Sequence, residues 1–285
     1  MAYITTGAEE QVWLITGTST GFGRLLAEEL MQRGSHVVAT ARKVDDIGDF
    51  VTKYPGRATV LPLDVTSAES IQRAHDDALA RVGHIDVLVN NAGYGVTGAV
   101  EEVIEDEYMP MFNTNVFGLI ELTRAFLPEM RAQRSGHIVN FSSIGGLIGS
   151  PGWGYYNATK FAVEGLSQAL RGELEPLGIG VTVIEPGPFR TDFLGRSGVE
   201  AKAQIPDYRT SAGKAREYFQ TQAGRQPGDP QKAVEAVIAA VNAAEPPKNL
   251  LLGKSALKRY RDRLLQIHDE IAAWEETTIG ADFPE

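Results

Sequence analysis

The sequence predicts a doubly wound α/β domain, in which a parallel sheet lies buried between two layers of helices. Three observations carry that expectation. Short apolar runs alternate with helix-patterned segments along most of the chain. The runs are continuous and not two-faced, as suits strands covered on both sides. The 285 residues are 43% hydrophobic and 22% charged, ample for one large core, and show no repeat or low-complexity block. A single domain therefore accounts for residues 1–285.

The first run, Val12-Trp13-Leu14-Ile15-Thr16, leads into Gly17-Thr18-Ser19-Thr20-Gly21-Phe22-Gly23 and then a helical pattern to Arg33. Gly34 sits where a glycine closes a helix. His36–Ala41 reads as a second strand and Thr59–Val65 as a third. Ser67 is placed to cap a helix reaching Val82. Ile85–Asn90 is a fourth strand that stops at Asn91-Ala92-Gly93. A long helical region from Glu101 to Arg131 follows, with Pro110 and Pro128 expected as kinks or boundaries. Its acidic start, Glu101, Glu102, Glu105, Asp106 and Glu107, suits dipole complementation and solvation. A fifth strand, His137–Phe141, ends at Ser142-Ser143, and the next helix carries Tyr156-Asn157-Ala158-Thr159-Lys160. Gly180–Glu185 is a sixth strand, ended by Pro186-Gly187-Pro188, and Leu250–Leu252 a seventh. Between them, residues 192–230 are glycine-rich and irregular, which favours a substrate lid over a solvated insertion. A helical extension is expected at about 254–276.

Composition removes several classes of function. A net charge of −10 argues against nucleic acid or an anionic membrane as partner. With no cysteine there is no disulfide, thiolate catalysis or Cys-based zinc site. The stretch Met1–Glu10 lacks the basic-then-apolar pattern of a leader, and no apolar run approaches about 18 residues. A cytoplasmic protein is expected. The five histidines show no paired ligand spacing, and no metal is expected.

Two segments carry chemistry. A strand, then glycines at 17, 21 and 23, then a helix forms a cradle for a pyrophosphate at the helix N-terminus. The second strand ends in Ala41-Arg42-Lys43 with no acid before Asp45. The forked guanidinium of Arg42 suits a ribose 2′-phosphate and favours NADP(H), with NAD(H) still possible. Farther on, Tyr156 and Lys160 stand four residues apart, on one helix face. A free tyrosine has a pKa of about 10, and an ammonium beside it pulls that value toward neutrality. Ser143, at a strand's carboxyl end, can hydrogen-bond a carbonyl oxygen beside that tyrosine. Such a set suits proton delivery to a carbonyl receiving a hydride.

These segments together resemble the short-chain dehydrogenase/reductase family. Thr16 with the glycine turn resembles its Thr-Gly-x-x-x-Gly-x-Gly signature, and Asn90-Asn91-Ala92-Gly93 its Asn-Asn-Ala-Gly segment. Asn115, Ser143, Tyr156 and Lys160 match its catalytic tetrad, and Asp64-Val65 the pair beside the adenine. Pro186-Gly187-Pro188-Phe189-Arg190-Thr191 resembles the segment that holds the nicotinamide carboxamide. The resemblance covers most of residues 12–192 and implies a three-layer Rossmann fold. It implies that Tyr156 is the general acid/base, that Lys160 lowers its pKa and binds ribose, and that Ser143 polarises the carbonyl. Asn115 would support the proton relay.

Trp153, Phe189, Phe193 and Leu194 are candidates to line an apolar substrate pocket, Ser143 and Trp153 with Phe193 foremost. The expected activity is hydride transfer between NADP(H) and a carbonyl or secondary alcohol, on a fairly bulky apolar substrate. Two alternatives stay open: a 3-oxoacyl-thioester reductase, with Lys202, Arg209, Lys214 and Arg216 as its basic patch, and a non-catalytic NADP-binding sensor. The resemblance also implies a homo-oligomer, dimer or tetramer. Trp274 is a further candidate for a lid or subunit contact.

Overall fold

Seven strands, all parallel, form one twisted sheet. The computed structural model describes residues 3, 4, 7, 10–195 and 197–283, so most of the stretch read for a leader lies outside the described residues. The strands are β1 (Val12–Thr16), β2 (His36–Ala41), β3 (Ala58–Pro62), β4 (Val87–Asn90), β6 (Gly136–Phe141), β7 (Ile179–Pro186) and β9 (Asn249–Leu252). Their order is β3-β2-β1-β4-β6-β7-β9, which reverses direction between β1 and β4. Two short strands outside this sheet, β5 (Gly95–Thr97) and β8 (Gly198–Glu200), pair with each other.

Alternate side chains of each strand enter opposite cores, which is why the runs are apolar throughout. Trp13, Ile15, Val37, Val89 and Phe141 face α1 (Gly21–Gln32), α2 (Asp49–Lys53) and α8 (Pro230–Val241). Leu14, Val38, Leu88, Ile138 and Val181 face α3 (Ala68–Val82), α5 (Leu119–Gln133) and α6 (Gly154–Leu174). Ser67 caps α3 as expected, accepting from the Ser70 N–H. Gly34, with φ of 103°, turns the chain out of α1. Among the described residues no helix is long and apolar enough to cross a membrane.

The long helical region differs from expectation. Neither proline ends a helix: Pro110 lies inside α4 (Glu105–Phe112) and Pro128 inside α5. The break falls between them, as a π-helical turn over Asn113–Gly118. Gly118 is needed there, because a Cβ would come within 2.7 Å of the Val65 carbonyl oxygen.

The segment 192–230 is also more ordered than the sequence suggests, containing β8 and α7 (Ala212–Thr221). It is fastened to the body by the acidic run, which is a correction to the solvation reading. Glu102 is buried; it accepts from the Ala99 and Ile205 N–H groups and pairs with Arg216 of α7 at 3.1 Å. Glu101 accepts from the Tyr208 hydroxyl and Glu107 from the Lys202 N–H. Burial pushes the Glu102 carboxyl up, but these donors outweigh it and hold its pKa below the usual range.

C-terminal helix α9 (Lys254–Ala273), followed by α10 (Glu275–Ile279), buries only Ala256 of its own residues. It projects from the body.

Two predictions follow from these contacts. His137 is fully buried in β6, bonded through Nε2 to the Thr182 hydroxyl, and burial draws its pKa down to about 4. The unfolded chain takes up that proton near pH 6.5, so stability is lost as pH falls from there toward 4, by about 3 kcal/mol. Urea midpoints measured from pH 7.5 to 4.5 should therefore fall more steeply for the natural chain than for His137→Gln; parallel curves would remove the effect. Glu102→Gln leaves Arg216 without its closest carboxylate, and breaking such a buried pair costs about 3–5 kcal/mol. Limited proteolysis should then cut within residues 198–221 many-fold faster, and an unchanged rate would show that the pair does not hold the segment.

Candidate active site

Every strand of the main sheet delivers its carboxyl end to the same edge, where a cavity of about 1160 Å³ opens beside the β1/β4 switch point. The glycine turn forms one part of it. Gly17 adopts φ of 71°, and a Cβ on Gly23 would approach the Gly17 carbonyl oxygen to 2.4 Å, so no side chain fits at either. Thr20 is the N-cap of α1 in an extended conformation and makes no side-chain capping bond. Unoccupied N–H groups thus face the cavity, as a bound diphosphate requires.

The expected catalytic, cofactor-binding and substrate-contact residues converge here with three exceptions. Gly17, Ser19, Thr20, Gly21, Phe22, Arg42, Asp64, Val65, Asn91, Ala92 and Gly93 all line the cavity. So do Ser143, Trp153, Tyr156, Lys160, Pro186, Gly187, Phe189, Thr191 and Phe193. Thr18 does not; it is buried, its N–H and hydroxyl both donating to the Thr40 carbonyl. Gly23 acts through its close approach to Gly17 and not by facing the cavity. Asn115 is buried in the π-helical turn. Its amide donates to the Tyr94 carbonyl at 2.8 Å and to Thr159 Oγ1, and accepts from the Tyr94 N–H. It is a brace between the loop after β4 and α6.

Electrostatics at the tyrosine differ from the sequence expectation. Burial pushes the Tyr156 phenol up to about 12, and the Ser143 hydroxyl is the neighbour that draws it down. Lys160 points its Nζ at the Phe141 carbonyl oxygen, 2.8 Å away, and stands 5.8 Å from the centre of the Tyr156 ring. Burial lowers Lys160 to about 8, with Glu164 one turn on partly offsetting it. Glu164 itself is pushed up to about 7 by burial, the neighbouring Glu185 adding to the effect. In this arrangement the two side chains share a pocket without the ammonium reaching the phenol oxygen. Ser143 accepts from the Gly145 N–H at 3.0 Å, which fixes the hydroxyl at the strand end.

An aromatic cluster adjoins the tyrosine. Ring centres of Trp153 and Phe193 lie 5.8 and 5.4 Å from that of Tyr156, and Phe219 of α7 stands 6.3 Å from Trp153. Gly95 keeps this cluster open to β5, since a Cβ there would meet Phe193, Trp153 and Tyr156 within 3.3 Å.

Some lining residues escape sequence reasoning. Gln226 is buried, and neither atom of its side-chain amide finds a partner among the described residues, so it suits a polar ligand group. Only its position in the glycine-rich segment hinted at it. Tyr218, Ser255 and Arg259 also line the cavity, reaching it from α7 and α9, and so does Lys214 of the expected basic patch. Arg216, counted above in a basic patch, is instead spent in the buried pair with Glu102. Arg42 is exposed at the end of β2, and its charge contributes to holding the Asp64 carboxyl low, behind the larger effect of hydrogen bonds from Thr66.

Comparison with known proteins agrees with this geometry. The family model for short chain dehydrogenases matches residues 11–201. An oxidoreductase of Botryotinia fuckeliana is 37% identical over 276 residues, 95% of this chain and 99% of that one. A 3-ketodihydrosphingosine reductase of Bacteroides thetaiotaomicron is 41% identical over 71% of this chain and 73% of its own length. A crystal structure of a short-chain dehydrogenase from Streptomyces avermitilis superposes with a TM-score of 0.90 at 42% identity, covering 96% of this chain and all of that one. Among more distant structural relatives, one from Burkholderia phymatum is in complex with NAD and a serine dehydrogenase is complexed with NADP+. The chain belongs to the short-chain dehydrogenase/reductase family and is an NAD(P)-dependent oxidoreductase.

Proposed function

We propose that this oxidoreductase is an NADP(H)-dependent carbonyl reductase or alcohol dehydrogenase acting on a bulky apolar substrate. The observation that carries the reading is the meeting of Ser143, Tyr156 and Lys160 with an aromatic cluster in one cavity that also holds the glycine turn and Arg42.

The bare N–H groups at the start of α1 and the side-chain-free backbone of Gly17–Gly23 would hold the cofactor's diphosphate. Asp64 and Val65, which line the cavity, would lie beside its adenine, and Arg42 would pair with the 2′-phosphate. Lys160 would bind the nicotinamide ribose, and Pro186, Gly187, Phe189 and Thr191 would hold the carboxamide side. When bound, the nicotinamide supplies or accepts the hydride.

The remaining chemistry belongs to the chain's own residues. Ser143 donates to the substrate's carbonyl oxygen and polarises it. Tyr156, a neutral phenol whose proton burial holds more tightly, gives that proton to the carbonyl oxygen in reduction and takes it back in alcohol oxidation. Lys160 would stabilise the phenolate left behind once its ammonium swings from the Phe141 carbonyl toward the tyrosine. Asn115 holds the loop after β4 and α6 in register around that path. Trp153, Phe193 and Phe219 enclose the apolar body of the substrate, under a lid formed by residues 192–230. The relative named for reduction of a lipid ketone points to the same substrate class.

The direct test is oxidation of NADPH and NADH across ketones, aldehydes, quinones and acyl thioesters, long-chain ketones included. Turnover should prefer NADPH and bulky ketones; activity confined to acyl thioesters would sink the substrate assignment. Tyr156→Phe should lower turnover about 10²–10⁴-fold while NADPH binding stays within a few-fold. Retained turnover would mean another group moves the proton. Arg42→Ala should weaken NADPH about 10- to 100-fold, the worth of one or two charge-assisted bonds, and leave NADH nearly unchanged. Equal losses for both cofactors would remove the 2′-phosphate role.

A further inference from the structure

Helix α9 and its capping residue Trp274 carry an apolar stripe that the described residues leave largely uncovered. Leu257, Tyr260, Leu264, Ile267, Ile271 and Trp274 recur at spacings of 3, 4, 3, 4 and 3, the period of a two-helix seam. The body half-covers Tyr260 and Ile267, but Leu264 is 47% exposed, Ile271 62% and Trp274 66%. A 20-residue helix this exposed gains little from its own chain, and helices are held mainly by packing of an apolar face.

The charges of α9 run against its own dipole. Residues 254–263 contain Lys254, Lys258, Arg259, Arg261 and Arg263 with the single acid Asp262. The second half of α9, residues 264–273, contains Asp269 and Glu270 with no lysine or arginine. Cations at a helix N-terminus and anions at its C-terminus are each unfavourable within the helix. The same distribution becomes favourable when a second such helix lies alongside in the opposite direction.

We infer that α9 pairs antiparallel with α9 of a second copy of this chain, across a two-fold axis between Leu265 and Gln266. The stripe is symmetric about that point. Leu257 then meets Trp274 of the second copy, Tyr260 meets Ile271, and Leu264 meets Ile267, each contact made twice. On the flanks Arg263 comes beside Glu270 of the second copy. A parallel pair would instead set basic half against basic half. Arg263 already reaches Glu270 of its own helix at 3.4 Å, an exposed contact that is free to exchange across the interface.

Sedimentation equilibrium or light scattering of the full chain tests the inference. The natural chain should be a dimer or larger, and Leu264→Asp or Ile271→Asp should halve the assembled mass while circular dichroism and NADPH binding stay unchanged. Arg263→Glu alone and Glu270→Arg alone should each weaken assembly. Mixing those two variants should restore it, because the opposite charges then meet only between different chains; an intrahelical role for the pair predicts no restoration. A monomeric natural chain, or a mass indifferent to Leu264→Asp, overturns the inference. Loss of binding to anionic phospholipid vesicles in Leu264→Asp without change in mass would also overturn it, assigning the stripe to a membrane surface.

Discussion

The divergence of β1 and β4 is the constraint on which the site depends, and Thr16 with Asn91 sets it. The Thr16 hydroxyl accepts from the Asn91 and Ala92 N–H groups, both at 2.9 Å, and lies 3.3 Å from the Val89 carbonyl. In return the Asn91 amide donates to the carbonyls of Thr16 and Gly17. The glycine turn and the loop after β4 are therefore one unit, and neither can shift without breaking these bonds. Behind it a buried polar chain runs from Thr123 through Asn90 and Asn140 to Ser167, tying β4 and β6 to α5 and α6. Hydrogen bonds in so dry a setting are strong, and they hold the strands that carry the site in register.

Electrostatically the site is a column of buried ionisable groups on α6 and β7. Tyr156, Lys160 and Glu164 succeed one another along α6 at one-turn intervals, and Glu185 lies beyond, bonded to Asn249. Arg171 stands near both acids, which lower the cost of its partial burial. Each member shifts away from its charged form because water is scarce. The protonation of Glu164 near neutral pH consequently sets how much negative charge lies beneath Lys160. Tyr156 and Lys160 thus belong to a longer titrating series that extends through Glu164 to Glu185.

What was legible in the sequence was whatever obeys local rules. The strands of the main sheet announce themselves as apolar runs between glycine or proline punctuation, and Ser67 and Gly34 mark helix ends by side-chain and backbone chemistry. Ser143, Tyr156 and Lys160 could be found because their spacing stands beside the other motifs of the family resemblance. The rest depends on contacts between distant segments. β5 and β8 are three residues each and exist only by pairing across a hundred residues. The π-helical turn at Asn113–Gly118 packs Gly118 against Val65, a contact that no local pattern reveals. Glu102 is indistinguishable in sequence from its solvated neighbours, and its partner Arg216 from a surface cation. Gln226 is recognisable only by the bonds it fails to make.

The fastening of residues 198–221 has a consequence for how that segment comes free. Glu102 holds three partners at once, and rehydrating its carboxylate requires releasing Ala99, Ile205 and Arg216 together. A desolvated contact of that kind does not loosen by degrees, so the anchorage is kept or lost as a whole. The acid at its centre is more than a hundred residues away in sequence from the arginine it grips, and neither lines the cavity.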